Sequence, residues 1–163
     1  MNDIQKFISD YCYDRLNKLE LSGEYVDRLQ DELNTLFKLN MEEYLLIVFD
    51  YCKFCRDKKI ATGYGRGSSV GSLVVWLLEI TKVDPIKYNL SFTRFIGGHK
   101  PDIDLDVDAD RREELISYLY RKYKGHIWRV YTIYKNGKKR LNPVSYCIDR
   151  HNTYEAEEVS GEV

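Results

Sequence analysis

Residues 101–108 read Pro101-Asp-Ile-Asp-Leu-Asp-Val-Asp108, a strict alternation of carboxylate and aliphatic side chains. Successive side chains of a β-strand point to opposite faces, so this period of two predicts a strand with one aliphatic and one carboxylate face. Like charges along one face repel one another unless positive charge lies close to them. A divalent cation such as Mg²⁺, which prefers oxygen ligands, would supply that charge. An acidic edge strand that resists aggregation is the alternative.

A glycine-rich loop, Gly63-Tyr-Gly-Arg-Gly-Ser-Ser69, leads into a helical pattern of apolar residues. The N-terminus of a helix offers free N–H groups and partial positive charge, and glycine lets a phosphate approach the backbone closely. An arginine can bind phosphate oxygens through two parallel hydrogen bonds. The loop therefore predicts a nucleotide-binding site formed by Arg66, Gly67, Ser68 and Ser69. A plain turn with a serine cap is the alternative, because the lysine of a Walker A loop is absent.

The loop and the acidic stretch together form a pattern typical of nucleotidyl transfer, in which one element holds a triphosphate and the other holds metal ions. Asp102 and Asp104 are the candidate catalytic residues and metal ligands. Two carboxylates at positions i and i+2 of a strand point the same way. They would hold two Mg²⁺ ions about 4 Å apart, with Mn²⁺ as the alternative metal.

Charge is distributed unevenly along the 163 residues, although the formal net charge is only −1. Residues 1–50 hold 11 acids and 5 bases, whereas residues 111–140 hold 10 bases and 2 acids. A basic block of this kind can attract a nucleic-acid backbone, and a solvated helix and hairpin surface is the alternative. The candidate DNA-binding residues are Arg111, Arg112, Arg121, Lys122, Lys124, Lys138, Lys139 and Arg140.

The remaining patterns predict three parts: a helical segment over residues 1–59, a domain over 60–150 that contains the glycine loop and the acidic stretch, which the resemblance described below implies to be nucleotidyltransferase-like, and a flexible acidic tail over 151–163. Asn136-Gly137 lies between two runs suited to strands and predicts a C-terminal β-hairpin. Cys52 and Cys55 form a C-x-x-C without the further ligands of a zinc site, which indicates reduced cysteines on a helix. Because no signal peptide and no membrane-length apolar run is present, we expect a cytoplasmic protein without a membrane partner.

Several stretches resemble, in the same order, the palm of the C-family DNA polymerases, the bacterial replicative polymerases that include the DNA polymerase III alpha subunit. The resemblance covers roughly residues 25–134 and rests on residues 63–81, Val83-Asp-Pro85, Phe92-Thr-Arg-Phe95, residues 101–106 and Arg111-Arg-Glu-Glu114. It implies an α/β (α+β) fold, namely a polymerase β-like nucleotidyltransferase palm with preceding helices and the C-terminal hairpin.

The resemblance also implies roles for individual residues. Asp102 and Asp104 match the paired metal-binding aspartates, and the Arg66-Gly-Ser68 turn matches the loop that contacts the triphosphate of the incoming nucleotide. The third catalytic aspartate of the family has no match in this sequence. Asp149, at the end of the second predicted hairpin strand, is a candidate replacement, and a turn aspartate without catalytic role is the alternative.

Three functions are consistent with these observations. The first is a fragment or split subunit of a C-family polymerase that adds dNTPs to a DNA primer–template, with a second polymerase chain or replisome proteins as partners, in a bacterial or phage-infected cell. The second is a catalytically incomplete module that binds DNA, nucleotide or replisome proteins. The third is a compact stand-alone nucleotidyltransferase. An intact aspartate pair and glycine loop favours the first, and the missing third aspartate argues against independent processive synthesis.

Overall fold

The structure, a computed structural model, describes residues 1–97, 101–124, 127–133 and 139–148, the last two ranges as backbone. The chain divides into two compact units, Met1–Arg112 and Glu113–Val163. The helices are α1 (Asp3–Lys18), α2 (Glu24–Lys38), α3 (Glu42–Asp57), a 3-10 turn (Gly67–Gly71), α4 (Leu73–Leu77), α5 (Thr93–Ile96) and α6 (Arg112–Lys122), and the strands are β1 (Ile127–Ile133) and β2 (Lys139–Ile148).

The three long helices begin and end by local rules. A capping box starts α1: Gln5 N–H donates to the Asn2 side chain over 2.8 Å, and Asn2 N–H donates to the Gln5 side chain over 3.1 Å. At their C-termini, α1, α2 and α3 are each followed by a residue with positive φ, Glu20 (55°), Asn40 (53°) and Lys59 (56°). The next N–H returns to a carbonyl five residues earlier in all three cases. These Schellman-type ends satisfy carbonyls that the helix leaves without a partner.

The core of the first unit is formed by one apolar face from each long helix together with α4. Its members are almost fully buried, and burial of each such side chain contributes roughly 1.5–3 kcal/mol. They include Ile8, Cys12, Leu16, Leu29, Leu36, Leu45, Val48, Cys55, Leu73, Val74, Leu77 and Leu78. The helices therefore hold together through packing along these faces, since isolated helices of this length are marginal in water.

A buried carboxylate joins α2 to the segment that starts α4. Glu32 is 0% exposed, although it lies within the apolar face of α2. It accepts hydrogen bonds from Arg28 Nε (2.7 Å), Ser72 Oγ (2.7 Å) and the Val74 N–H (3.1 Å). Arg28 also donates through Nη2 to the Gly71 carbonyl over 2.8 Å. A buried charge is tolerated only when it is paired and hydrogen-bonded, and Glu32 meets both conditions.

The predicted fold class, an α/β polymerase β-like nucleotidyltransferase palm, is wrong. The described residues of Met1–Arg112 are mostly helical and form no β-strand, so no sheet carries the carboxylates there. Residues 101–108 form no strand and make an isolated antiparallel bridge between Thr62 and Val107. The alternation of carboxylate and aliphatic residues determines which side chains are exposed. A β-strand also needs a neighbouring backbone along its length to form hydrogen bonds with it. Among the described residues, the neighbouring backbone pairs with this segment at the single bridge between Thr62 and Val107.

The second unit contains most of α6 and the paired strands β1 and β2. Leu115, Ile116 and Leu119 are the buried residues of α6 and recur at helical spacing. The two strands pair antiparallel, with Ile127 opposite Ile148, and the register shifts between Arg129 and Tyr131. The domain boundaries predicted after residues 59 and 150 stay predictions, and the predicted acidic tail lies outside the described residues.

Replacement of Glu32 by alanine tests the buried ion pair. Glu32→Ala leaves Arg28, the Ser72 hydroxyl and the Val74 N–H without their shared acceptor, so we expect a loss of about 3–5 kcal/mol in the free energy of unfolding. Urea denaturation followed by circular dichroism measures this loss. Asp31→Ala, at the exposed neighbouring position of α2, is the control and should change stability by less than about 0.5 kcal/mol. Equal stability of the two variants would contradict the role of Glu32.

Candidate nucleotide and metal site

The acidic segment, residues 101–108, alternates in exposure along its first six residues. Asp102, Asp104 and Asp106 are exposed, whereas Pro101 and Ile103 are buried. The alternation in the sequence thus separates the two faces even though no strand forms. The two candidate metal ligands, Asp102 and Asp104, lie on the same exposed side.

Two tyrosines of α3 lie beneath the acidic segment. The Tyr44 hydroxyl accepts a hydrogen bond of 2.9 Å from the N–H of Ile103, the residue between the two candidate metal ligands. Tyr51, two helical turns further along, is buried. Burial raises the pKa of Tyr51 well above its ordinary value, and the negative charge of Asp104 is among the smaller contributions in the same direction. Tyr51 is therefore a neutral phenol that packs in the core near the acidic segment.

The glycine loop needs its glycines at Gly65 and Gly67. Their φ angles are 136° and 64°, in the left-handed region that side chains with a Cβ rarely adopt. A Cβ at Gly65 would also lie 2.6 Å from the Val70 side chain. The loop therefore turns sharply and close to its neighbours, as a phosphate-binding loop requires.

The glycine loop and the acidic segment lie side by side. The Gly63 N–H donates to the Asp106 carbonyl over 2.8 Å, which ties the two backbones together. A Cβ built at Gly67 would lie 3.9 Å from Asp104 Oδ2. Arg66 Nη1 lies 3.3 Å from Asp106 Oδ1, and both side chains are exposed. The two constellations predicted from the sequence thus meet at one place on the surface.

Ser68 and Ser69 occupy different environments within the loop. Ser68 is partly exposed, whereas Ser69 is 1% exposed and its hydroxyl donates to the Arg66 carbonyl over 2.8 Å. Ser69 therefore stabilises the turn that presents Arg66. The predicted contacts of Arg66, Gly67, Ser68 and Ser69 with a nucleotide stay predictions.

Asp102 and Asp104 suit a hard divalent cation, because exposed carboxylates are strong oxygen ligands for Mg²⁺. Among the described residues, the ion pairs include Asp106 but neither of these two carboxylates. The described part of the chain holds no group of three or more potential ligands. Mg²⁺ commonly binds through one or two carboxylates and takes its other ligands from water and substrate phosphates, so the aspartate pair fits it as a partial ligand set.

Asp149, the predicted third carboxylate, lies outside the described residues, as does Lys138. The side chains of Lys139 and Arg140 lie outside the described residues as well, although their backbone belongs to β2.

Two of the predicted DNA-binding residues, Arg111 and Arg112, are the last two residues of the first unit. Arg111 donates through Nη1 to the carbonyls of Lys58 (2.9 Å) and Lys59 (3.2 Å), at the C-terminal end of α3. A cation at a helix C-terminus complements the helix dipole. Arg112 is partly buried. Arg111 thus has a structural role beside any contact with DNA.

The basic residues at the C-terminal end of α6 and just beyond it belong to the second unit. Arg121 is exposed, and its Nε donates to the Ser117 carbonyl over 3.3 Å. Lys122 lies over the rings of Tyr118 and Tyr123, with Nζ 5.5 and 5.7 Å from the ring centroids. Lys124 is exposed. These three cations are at the surface, as contact with DNA requires.

The C-x-x-C of α3 has the features of buried, reduced cysteines. Cys12, Cys52 and Cys55 are free and buried. Burial raises the pKa of Cys52 to about 12 and that of Cys55 to about 11. Zinc binds thiolates, which such raised pKa values disfavour.

Sequence patterns did not identify Tyr44 and Glu32 as supports of this site. A signal for Glu32 exists, because an acid within an apolar helical face is rarely buried without a partner. Tyr44 gives no comparable signal, since a tyrosine in an apolar run is ordinary. Its hydrogen bond with Ile103 joins residues 59 positions apart, a separation that only the tertiary structure brings together.

Comparison with known proteins identifies the family. A family model described as "Bacterial DNA polymerase III alpha NTPase domain" matches residues 3–154. The chain belongs to this family. The glycine loop and acidic segment therefore lie within a DNA polymerase III alpha domain, as their resemblance to the C-family polymerases indicates.

Individual members of the family are similar over most of the chain. DNA polymerase III subunit alpha of Mycoplasma genitalium is 49% identical over 102 residues, which are 61% of this chain and 12% of the relative. The Bacillus subtilis subunit is 40% identical over 132 residues, covering 77% of this chain and 12% of the relative. The Staphylococcus aureus subunit is 42% identical over 123 residues, covering 73% and 12%. The chain thus spans about an eighth of the length of these relatives.

Among the described residues, no helix has the length and apolar character needed to cross a membrane.

Replacement of Tyr44 by phenylalanine tests the support beneath the acidic segment. Tyr44→Phe removes the acceptor of the Ile103 N–H, and an unpaired buried N–H costs about 1–3 kcal/mol. We expect lower stability in urea denaturation and weaker Mg²⁺ binding in titration calorimetry, because Asp102 and Asp104 lose their fixed backbone. The control is Tyr13→Phe, at an exposed position of α1. Unchanged Mg²⁺ affinity of Tyr44→Phe would show that the hydrogen bond does not position the carboxylates.

Proposed function

We propose that this chain forms the nucleotide- and metal-binding part of a DNA polymerase III alpha active site. Its reaction is the transfer of a nucleotidyl group from a dNTP to the 3′-hydroxyl of a DNA primer. The observation that carries the proposal is the closeness of the glycine loop to the acidic segment, with 3.9 Å between a Cβ built at Gly67 and Asp104 Oδ2. Triphosphate binding and metal binding need this closeness, because Asp102 and Asp104 would hold Mg²⁺, which would supply positive charge to the phosphates bound at the loop.

The glycine loop would bind the triphosphate. Arg66 has an exposed guanidinium whose partner is the equally exposed carboxylate of Asp106. Exposed ion pairs are worth only about 0–1 kcal/mol, so exchange of this carboxylate for a phosphate costs little. The left-handed backbone at Gly67 and the absence of a Cβ there leave room for phosphate oxygens beside Asp104.

Asp102 and Asp104 would hold Mg²⁺, with Mn²⁺ as a substitute. When bound, the metal would supply positive charge that activates the primer hydroxyl and neutralises charge on the leaving pyrophosphate. The task of the chain would be to orient the two carboxylates, and the hydrogen bond from the Ile103 N–H to the Tyr44 hydroxyl supports this by fixing the backbone between them. The remaining ligands would come from the substrate and from a third carboxylate, either Asp149 or a residue of a second polymerase chain.

DNA and replisome proteins are the partners that this function requires. Arg121 and Lys122 at the end of α6, and Lys124 just beyond it, present positive charge at the surface, which suits the phosphate backbone of a primer–template. We place the reaction in the cytoplasm of a bacterial or phage-infected cell, where DNA replication takes place.

The paired aspartates provide the test of this function. We expect the Asp102→Asn/Asp104→Asn double variant to lose Mg²⁺-dependent binding of dNTP, measured by titration calorimetry, because a neutral amide lacks the negative charge with which a carboxylate attracts Mg²⁺. Asp110→Asn, an exposed position just beyond the acidic segment, is the matched control and should bind as the wild type does. Equal dNTP affinity of the double variant and the wild type would contradict the metal site.

Extension of a labelled primer–template by the same proteins separates the possible functions. Extension by the wild type and none by the double variant would support a complete minimal nucleotidyltransferase. Metal-dependent dNTP binding without extension would support a part that needs a second polymerase chain. A second polypeptide that carries the rest of an alpha subunit would then be added. Recovery of primer extension would support a part that needs a second chain, and no recovery would support a module that only binds.

Arg66→Ala tests the triphosphate site. The guanidinium would contact the phosphate tail, so we expect affinity for a deoxynucleoside triphosphate to fall about 10-fold, with little change for the monophosphate. Competition binding in Mg²⁺ measures both affinities. Lys38→Ala removes one exposed positive charge from α2 and serves as the control for net charge. Equal losses for the two nucleotides would assign Arg66 a role other than phosphate binding.

A further inference from the structure

The glycine loop carries an exposed aromatic ring. Tyr64 is 73% exposed, although it lies between Gly63 and the sharply turned Gly65. Its backbone is held, because the Tyr64 carbonyl accepts a hydrogen bond of 2.7 Å from the Lys82 N–H. The Tyr64 ring lies at the surface of the loop and does not contribute to the core. Packing in the core therefore does not explain why an aromatic residue stands at this position.

Lys82 also holds its ammonium group near this ring. Lys82 Nζ lies 5.4 Å from the centroid of the Tyr64 ring, which is within cation–π distance. The same Nζ donates to the Thr62 carbonyl over 2.6 Å, so the ammonium is fixed by the loop itself. The ring therefore has a preferred position before any ligand binds, which lowers the entropy cost of a contact made through it.

The ring, the ammonium and the guanidinium of Arg66 together suit one kind of ligand. Two residues of extended chain span at most about 7 Å, so Tyr64 and Arg66 lie within the length of a single nucleotide. Tyrosine rings stack on nucleobases regardless of base identity, and basic groups beside them attract the phosphates. Inorganic phosphate would use the cations alone and leave the ring without a role, whereas a metal cation would be repelled by them.

We propose that Tyr64 is a stacking surface for a nucleobase, held in position by Lys82. The base belongs either to the bound dNTP or to the DNA strand at the active site. This inference rests on the proposed function, since it assigns base contact to the loop that would bind the triphosphate.

The test uses the full chain in Mg²⁺ with three probes: 2-aminopurine deoxyriboside triphosphate, inorganic tripolyphosphate, and a single-stranded oligodeoxynucleotide that contains 2-aminopurine. Stacking of a ring on 2-aminopurine quenches its fluorescence. If Tyr64 had a purely structural role, its replacement would leave this quenching unchanged. Circular dichroism confirms that each variant is folded. The control is Tyr88→Leu, because Tyr88 is also an exposed tyrosine (62%) with a lysine, Lys87, 5.9 Å from its ring centroid, but lies outside the loop.

We expect Tyr64→Leu to lose the quenching and to weaken binding of the 2-aminopurine nucleotide about 5- to 100-fold, with unchanged tripolyphosphate affinity. Tyr64→Phe, which keeps the ring, and Tyr88→Leu should behave as the wild type. If Tyr64→Leu loses quenching and affinity for the oligodeoxynucleotide but not for the nucleotide, the stacked base belongs to the DNA strand.

Two results would overturn the inference: wild-type quenching of both 2-aminopurine probes by Tyr64→Leu, or equal losses for the nucleotide and tripolyphosphate. Failure of the wild type to bind either triphosphate would count against the proposed function instead. In that case the oligodeoxynucleotide probe tests the inference. Weaker quenching of this probe by Tyr64→Leu than by the wild type would support base stacking on Tyr64, and equal quenching would overturn it.

Discussion

The buried carboxylate of Glu32 is the constraint on which the arrangement of the site depends. It accepts hydrogen bonds from Arg28, Ser72 and the N–H of Val74, and thereby fixes the start of α4 against α2. The glycine loop immediately precedes this fixed point. Its other end is held by Lys82, whose N–H donates to the Tyr64 carbonyl. A loop held at both ends can keep the left-handed conformations that its glycines adopt, because the surrounding contacts outweigh their entropy cost.

The site combines this rigid support with exposed charge. Arg66, Asp102, Asp104 and Asp106 are all exposed, while the residues that position them, Tyr44 and Ile103 among them, are partly or fully buried. Groups that bind charged ligands must exchange water for ligand at little cost, whereas their supports must not move. The association of a glycine loop with a pair of exposed carboxylates is consistent with the membership of the chain in the DNA polymerase III alpha family. Two carboxylates suit Mg²⁺ only with further ligands from substrate or protein.

Local patterns allowed the long helices to be predicted from the sequence. Apolar residues such as Ile8, Leu29 and Leu45 recur at the helical period and are buried as expected. The alternation in residues 101–108 likewise predicted which side chains face outward. The strand that the alternation also predicted does not form, because a strand depends on a second backbone supplied from elsewhere in the chain. Among the described residues, this segment makes one isolated bridge, from Val107 to Thr62, so the predicted palm sheet and the α/β class were wrong.

The sequence by itself determined the helices, the candidate ligands Asp102 and Asp104, the glycine loop and the family, because these depend on residue type and spacing along the chain. The tertiary structure alone decided that Arg66 meets Asp106, that Gly67 lies beside Asp104 and that Tyr44 supports Ile103. Each of these contacts joins residues roughly 40 to 60 positions apart. Such contacts form only when helix packing has fixed the direction of the chain, and no periodic pattern in the sequence encodes that direction.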